Sequence, residues 1–335
     1  MNIGIPRGLY YYQYFPFFKT FFECLGNRIV CSPPTNRNIL KKGIDLCVDD
    51  ACLPVKVFHG HVAYLADKVD IIYIPRIISV EPKEYICPKF LGLPDMIKNS
   101  IQELPPVLDI DIDLYRGKRF LFGQLLELGH LLKKNNLDIL RAYRRASKVQ
   151  KRFEQKIIKN KITPGDLLST IPECLQNKER EENKKNNRLT VLLLGHYYNI
   201  YDDYISMNVT AKLRKQNITF ITPEMVPDKI ISIGNRKLSK NMFWTLGKKT
   251  LGTAYYYLEN NKIDGIIYLA SFGCGPDSLV GELVEKRTKR DFEIPFLLIN
   301  LDEHSGEAGF NTRLEAFLDV LEGRKQDEDD IPSYG

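Results

Sequence analysis

The sequence predicts an α/β protein with two parallel-sheet domains. Short apolar runs alternate with helix-compatible segments, and this succession begins twice, once near residue 2 and again near residue 188. Strand, helix and strand repeated in this order form the unit of a parallel sheet. The two openings, IGIPRGLYYYQYF and LLLGHYYNIYDDY, share a strand, a glycine-containing turn and a tyrosine-rich helix start. We therefore expect one α/β unit to be duplicated.

The N-terminal domain is predicted to span residues 1–115. Its strands are short runs rich in Ile, Val and Tyr, and helical segments with a regular apolar face separate them. Strands are expected at 2–8, 28–33 and 70–75, and helices at 11–26 and 54–67. Gly26 provides the expected stop of the first helix.

A long amphipathic helix is the main feature predicted for residues 116–187. Its apolar residues recur at steps of three and four, which is typical of a helix with one buried face. They are Ile139, Ala142, Tyr143, Ala146, Val149, Phe153 and Ile157. The charged run NKEREENKKNN at 177–187 predicts an exposed connection. This region is therefore interpreted as a helical segment followed by a linker.

The C-terminal α/β domain is predicted at residues 188–323. Four apolar runs have the composition of strands, and all but the last are followed by helix-compatible sequence. They lie at 188–196, 218–223, 265–270 and 296–301. A final helix is expected at 307–323, and the acidic tail at 324–335 is expected to be frayed.

Charge argues against nucleic acid as a partner, although the net charge is +6. Much of the excess lies between Arg141 and Lys161, where nine basic residues accompany one acid, Glu154. Such a block is usually a solvated helix face, and it lacks the aromatic or base-reading residues of a nucleic-acid site. An acidic protein partner is a better match.

The location of the protein is predicted from what the sequence lacks. The start, MNIGIPRGL, enters a strand-like pattern without the features of a secretion signal. No apolar run approaches the length of a membrane span. We therefore expect a cytoplasmic protein that does not bind membranes.

Cysteines carry the strongest chemical signal. Seven cysteines without a secretion signal argue against a disulfide framework. Three of them are followed by a proline, either directly or after one intervening residue: Cys52 in ACLPVK, Cys87 in ICPKFLGLPD and Cys274 in GCGPDS. Proline stiffens the turn, and cluster ligands in ferredoxin-type sequences often precede it. Cys274 also stands where a strand becomes a helix, and a helix N-terminus, capped by Asp277 or Ser278, favours a thiolate.

The spacing of these cysteines favours an iron–sulfur cluster over zinc. No CxxC pair, HExxH motif or local Cys/His quartet is present, so a structural zinc site is not expected. Three thiolates suit a [4Fe-4S] cluster with one open iron, and Cys47 in CVDDAC could supply a fourth ligand. The alternative is that these thiols are simply buried. Cys24 is expected in the core, and Cys31 and Cys174 are assigned no function.

Polar residues near strand ends are candidates for proton transfer. His196 ends a strand, and Glu303 and His304 follow the strand at 296–301, on the same edge as Cys274. His59 and His61 in FHGHV could donate to a cluster or a substrate, although structural histidines are more common.

The sequence offers no site for ATP. LGKKT at 246–250 imitates the end of a phosphate loop, but Met242 stands where that loop needs glycine. ATP hydrolysis must therefore come from a partner.

Five stretches of the sequence together resemble one family. CLPVKVFHGHV, EYICPKFLGLPD, GHYYNIYDDYI, SFGCGPDSLVGE and LDEHSGEAGFNTRLEAF are similar to the 2-hydroxyacyl-CoA dehydratase superfamily, above all its activase-related branch. The resemblance covers nearly the whole chain. It implies two flavodoxin-like parallel-sheet domains with an additional helical segment. It also implies a [4Fe-4S] cluster held between the domains, with Cys52, Cys87 and Cys274 as its ligands.

The resemblance implies a function in redox chemistry. The dehydratases receive an electron from an ATP-dependent iron–sulfur activator and transfer it to a 2-hydroxyacyl-CoA, while relatives with double-cubane clusters reduce small molecules. We therefore expect an oxygen-sensitive protein that accepts a low-potential electron, with a lyase or reductase activity as the enzymatic version. A non-catalytic electron-transfer or scaffold subunit and a redox-inert protein with buried thiols are the alternatives. A homodimer or a heterodimer with a related subunit is the expected assembly.

Overall fold

A computed structural model describes residues 1–169, 189–260 and 262–330. The chain divides into two compact units, Met1–Glu179 with Asn241–Lys248 and Arg180–Lys240 with Lys249–Gly335. The predicted connection at 177–187 and Cys174 lie outside the described residues. None of the described helices is long and apolar enough to cross a bilayer.

The first unit contains a four-stranded parallel sheet. Its strands are β1 (Asn2–Ile5), β2 (Arg28–Cys31), β3 (Ile71–Tyr73) and β5 (Val107–Leu108), in the order β2-β1-β3-β5. A separate parallel pair is formed by β4 (Arg76–Ser79) and β6 (Asp111–Asp113). The helices are α1 (Tyr11–Cys24), α2 (Arg37–Leu46), α3 (Leu53–Leu65), α4 (Pro88–Ser100), α5 (Lys118–Leu131), α6 (Asn136–Asn160) and α7 (Pro164–Ser169).

The second unit contains another four-stranded parallel sheet. Its strands are β7 (Thr190–Gly195), β8 (Thr219–Ile221), β9 (Gly265–Ser271) and β10 (Phe296–Leu301), in the order β10-β9-β7-β8. The helices are α8 (Tyr197–Ile200), α9 (Val209–Lys215), α10 (Asp228–Asn235), α11 (Thr245–Glu259), α12 (Gly275–Asp291) and α13 (Glu307–Asp330), with a 3₁₀ turn at Pro223–Met225. The first residues of α11, up to Lys248, belong to the first unit.

The two sheets have the same topology. In each, the first strand is flanked by the second strand on one side and by the third on the other, and the fourth lies beyond the third. This is the doubly wound order of flavodoxin-like folds, whose direction of winding reverses between the first and third strands. The predicted α/β class with parallel sheets is therefore confirmed. The crevice expected to bind ligands lies at the carboxyl ends of β1 and β3 in one unit and of β7 and β9 in the other.

Burial explains why the strands were readable from the sequence. Every residue of β9 is buried, and β7 is buried from Val191 to Gly195. A parallel sheet covered on both faces needs continuous apolar runs instead of alternation. The long helix predicted from its apolar spacing is α6, and Ile139, Ala146 and Ile157 lie in the core as expected.

The bounds of two helices differ from the sequence expectations. The short helix α2 was not predicted; the side chain of Asn36 caps it by accepting from the amides of Asn38 and Ile39. The final helix, α13, continues to Asp330, beyond its predicted end. LGKKT lies in α11.

Candidate functional site

The carboxyl edge of the second sheet gathers the chemically distinctive residues of that unit. β7 and β9 are neighbours, and they end at Gly195 and Ser271. Gly195 has a φ of +134°, and a Cβ there would lie 2.3 Å from the carbonyl oxygen of Leu269. Only glycine fits this close approach, which lets β7 turn directly into His196, the N-cap residue of α8.

Cys274 begins the helix that follows β9. It is the N-cap residue of α12, and a proline occupies the first turn. The predicted caps, Asp277 and Ser278, are not the N-cap residues. Instead, the hydroxyl of Ser278 donates to the carbonyl of Cys274 over 2.9 Å, and Asp277 is fully buried in the first turn. The expectation of a cysteine at a helix N-terminus is met, but the capping residue is the cysteine itself.

His196, Cys274 and Asp277 form a buried group of potential metal ligands. One ligand atom from each lies within 4.8 Å of those from the other two. The exposed fractions of the three residues are 4%, 7% and 0%. Among the described residues this is the single group of at least three histidines, cysteines or acids with such proximity. Imidazole, thiolate and carboxylate are the ligand types that transition metals take in proteins.

Hydrogen bonds orient the histidine and the aspartate of this group. The Tyr198 hydroxyl lies 2.6 Å from Nδ1 of His196. The Tyr268 hydroxyl donates to Oδ1 of Asp277 over 2.7 Å, and the Asn199 amide lies 3.4 Å from Oδ2. Burial, with the nearby Asp277 carboxylate, raises the pKa of Tyr268, so its hydroxyl remains a donor at neutral pH. Such outer-shell partners fix ligand orientation in metal sites.

Two further cysteines occupy the same kind of position in the first unit. Cys52 is the N-cap residue of α3 and Cys87 that of α4, and each helix has proline in its first turn. In chain order, the helix after Cys87 precedes the fourth strand of its sheet, β5, although β4 intervenes between β3 and this cysteine; the helix after Cys274 likewise precedes the fourth strand of its sheet, β10. Cys87 and Cys274 therefore stand at the start of the corresponding helix in each unit.

Lys89 acts electrostatically on three thiols of the first unit. Burial raises the pKa values of Cys47, Cys52 and Cys87, and the Lys89 ammonium lowers each of them. Its Nζ also donates to the carbonyl of Asp50 over 3.3 Å, in the segment that joins Cys47 to Cys52. The sequence analysis did not identify Lys89, because its position two residues after Cys87 is the only signal that the sequence gives.

The other candidate residues lie in several places. Glu303 and His304 are in the turn after β10; His304 is exposed, and its amide donates to Oδ1 of Asp302 over 2.8 Å. They are not members of the buried ligand group. His59 and His61 are buried in α3, where His59 Nδ1 contacts the Val55 carbonyl at 2.8 Å.

The expectation that Cys24 lies in the core is wrong. It is exposed on α1, because the same helix turns Phe21 and Phe22 inward and this leaves position 24 on the outer face. There it lines a groove with residues of α6 that include Arg145 and Lys148.

The fold and these cysteines define a class of protein: a doubly wound α/β protein with thiols at helix N-termini. Comparison with known families makes this more specific. The family described as CoA enzyme activase uncharacterised domain (DUF2229) matches residues 2–226, and the chain belongs to it. The family described as 2-hydroxyglutaryl-CoA dehydratase, D-component, matches residues 166–321. The resemblance to the activase-related branch of the dehydratase superfamily is therefore confirmed. No curated protein matches the sequence.

Proposed function

We propose that this protein is an iron–sulfur redox protein of the 2-hydroxyacyl-CoA dehydratase superfamily. In this role it accepts a low-potential electron from an ATP-dependent activator in the cytoplasm. The observation that carries the proposal is the repeated placement of Cys52, Cys87 and Cys274, each at the start of a helix with proline in its first turn. The match to the dehydratase component includes Cys274, and the match to the activase domain includes the other two.

The local chemistry of these cysteines suits thiolate ligands. A helix N-terminus stabilises a negative charge, and so does the ammonium of Lys89 near Cys52 and Cys87. Both effects oppose the burial that raises the pKa values of these two thiols. When bound, a [4Fe-4S] cluster, or the double-cubane form of some relatives, would supply one-electron chemistry at low potential and, at an open iron, a Lewis acid.

The surrounding residues would manage protons and exclude water. His196 is buried and held by the hydroxyl of Tyr198, so it can present a nitrogen in a fixed orientation near Cys274. Glu303 and His304, at the end of the next strand, are the other candidate proton donors. In the enzymatic version, these groups serve the reductive dehydration of a 2-hydroxyacyl-CoA.

An external activator is the partner that this proposal requires. Met242 stands where a phosphate loop needs glycine, so LGKKT does not complete such a loop. The basic residues of α6, among them Arg141, Arg144 and Lys148, give an exposed surface for an acidic partner. We propose in addition that the protein assembles as a homodimer or with a related subunit.

Anaerobic purification or reconstitution with iron and sulfide tests the proposal. The wild-type protein should be brown, and Cys52→Ser, Cys87→Ser and Cys274→Ser should each lower its iron content. Cys24→Ser is the matched control, since this exposed thiol should leave the iron content unchanged. Reduction by an added activator and ATP should weaken as salt screens the charges between the partners. A protein that stays colourless and free of iron after reconstitution contradicts the proposal.

A non-catalytic electron carrier is the second candidate function. It is favoured by Cys47, whose thiol is influenced by the same Lys89 ammonium as Cys52 and Cys87. If Cys47 closes the fourth ligand position, Cys47→Ser should change the paramagnetic spectrum of the reduced cluster. A substrate such as a 2-hydroxyacyl-CoA should then leave the wild-type spectrum unaltered. A spectrum that responds to the acyl-CoA and ignores Cys47→Ser supports the enzyme instead.

A further inference from the structure

We propose that His196, Cys274 and Asp277 bind a single divalent cation of the Zn²⁺ type when no cluster is present. The proposed site uses one residue from the end of β7 and two from the start of α12, all in the second unit. It does not rest on the iron–sulfur proposal, because it needs neither Cys52 nor Cys87. It shares Cys274 with that proposal and differs from it in the other ligands, in the number of metal ions and in the kind of ion bound.

The distances suit a shared ion better than a direct contact. Nε2 of His196 lies 3.8 Å from Oδ1 of Asp277, which is too long for a hydrogen bond although both atoms are buried. A nitrogen and an oxygen ligand of one tetrahedral ion lie roughly 3.3–3.6 Å apart when the metal–ligand distances are ~2.0–2.2 Å, so this separation is a few tenths of an ångström too long and a small shift would close it. One ligand atom of each residue, the Cys274 sulfur among them, lies within 4.8 Å of those of the other two, so a small movement of the cysteine side chain completes the group.

The orientation of the ring is already compatible with metal binding. If Nδ1 carries the proton and donates it to the Tyr198 oxygen, Nε2 presents its lone pair towards Asp277. The Tyr268 hydroxyl donates to Oδ1 of the carboxylate and the Asn199 amide to Oδ2, so both oxygens are held. Both ligands therefore have the outer-shell support that is typical of metal sites.

Charge gives an independent reason for a cation. Asp277 is completely buried, and its one ion-pair partner among the described residues is His196, at 3.8 Å. No lysine or arginine of the described chain compensates this carboxylate. A buried carboxylate is costly without a compensating charge, and a thiolate at Cys274 would add to the negative charge. A divalent ion neutralises both groups, and three protein ligands leave the fourth position open.

The choice of zinc-like ions follows from the ligand set. One thiolate, one imidazole and one carboxylate suit Zn²⁺ and Co²⁺, whereas Mg²⁺ and Ca²⁺ prefer all-oxygen sites. Because a bound zinc ion would be coordinated by the Cys274 sulfur, it should compete with any other metal centre that needs this thiol as a ligand. Zinc would therefore block assembly of a cluster that needs Cys274.

Cobalt titration of the metal-free protein under anaerobic conditions tests the site directly. One equivalent of Co²⁺ should produce a thiolate-to-cobalt charge-transfer absorption, and Zn²⁺ should remove it. Asp277→Asn preserves the shape of the side chain and should weaken cobalt binding by more than about tenfold, the minimum loss caused by altered outer-shell partners. Cys274→Ser should abolish the charge-transfer band. Cys52→Ser, in the other unit, is the control and should bind cobalt as the wild type does.

A second measurement separates this inference from the iron–sulfur proposal. Zinc added first should slow cluster reconstitution in the wild type, and Asp277→Asn should relieve this inhibition. If no variant ever forms a cluster, the cobalt titration still decides the present inference. Absence of the charge-transfer band in folded wild-type protein, or equal loss of the band in Cys52→Ser, overturns it. His196→Gln replaces Asp277→Asn if circular dichroism shows that the latter is unfolded.

Discussion

Gly43→Ala tests the close packing of α2 against α3. α2 and α3 contact each other through glycine: a Cβ at Gly43 would lie 1.9 Å from the carbonyl oxygen of Lys56. Real Cβ atoms essentially never approach another atom closer than 3.0 Å. The added methyl group must therefore push the two helices apart by about 1 Å, because a backbone carbonyl inside a helix cannot rotate away.

The expected cost combines two destabilising effects and one stabilising effect. Overpacking a close contact costs about 1–3 kcal/mol, and this rigid backbone contact belongs at the upper end of that range or above it. Separating the helices also weakens the packing of Ile39 and Leu40, the buried residues of α2. Alanine recovers about 1 kcal/mol through its higher helix propensity. We expect a net loss of about 2 kcal/mol, roughly a thirtyfold fall in the folding equilibrium constant.

Urea unfolding, followed by circular dichroism, measures this change. Gly92→Ala in α4 is the matched control, because a Cβ there meets nothing within 4 Å. The same substitution at this open position should stabilise the protein by about 0.5–1 kcal/mol. The two variants should therefore shift the midpoint in opposite directions. If Gly43→Ala is as stable as the wild type or more stable, the packing argument is refuted.

Two other predictions concern titratable groups. Lys89→Met removes a charge that lowers the pKa of Cys87, so alkylation of this thiol at fixed pH should slow by up to about tenfold in metal-free protein, as judged by peptide mass spectrometry. Lys98→Met in the same helix should not change that rate, and an equal effect of both variants would show that the charge of Lys89 is irrelevant. Burial, with a smaller effect of the nearby Arg7, lowers the pKa of His61 from 6.5 to about 3. Below pH 6.5 this histidine is therefore protonated in the unfolded chain and stays neutral in the folded protein. The free energy of unfolding should therefore fall with decreasing pH by up to about 1.4 kcal/mol per pH unit from this residue. His61→Gln should lose this contribution between about pH 6 and 5, whereas the exposed His130→Gln should keep it; an unchanged slope in His61→Gln contradicts the prediction.

The sequence determined the strands and the fold class because their signals are local. A strand buried on both faces must be a continuous apolar run. GIIYLA of β9 and TVLLLG of β7 are short runs of this kind. Proline and glycine mark turns through their own backbone preferences, so the cysteines beside them were recognisable as turn residues. The helix N-terminus at Cys274 followed from the same local reasoning, whereas the helix that follows Cys87 was not predicted. The repeated opening of the two halves predicted a duplicated α/β unit, and the two sheets have the same strand order.

Short or weakly patterned elements were harder to predict. α2 has three buried residues and a glycine among them, and it is stabilised mainly by its cap and by packing on α3. A helix of this length has little stability of its own, so its sequence carries a weak signal. The outward direction of Cys24 likewise depends on which face of α1 packs inward. Neither feature is settled by composition within the segment.

Only the tertiary structure decided which polar residues meet. Asn199 and Asp277 are 78 residues apart, yet they contact each other because β7 and β9 are neighbours while β8 lies on the far side of β7. Nothing in the pattern of one strand specifies its neighbours; that choice is made when the sheet assembles and buries the apolar faces of all its strands together. Asp277 was therefore visible in the sequence as a helix-start residue, and its role beside His196 and Cys274 became visible only in the folded unit.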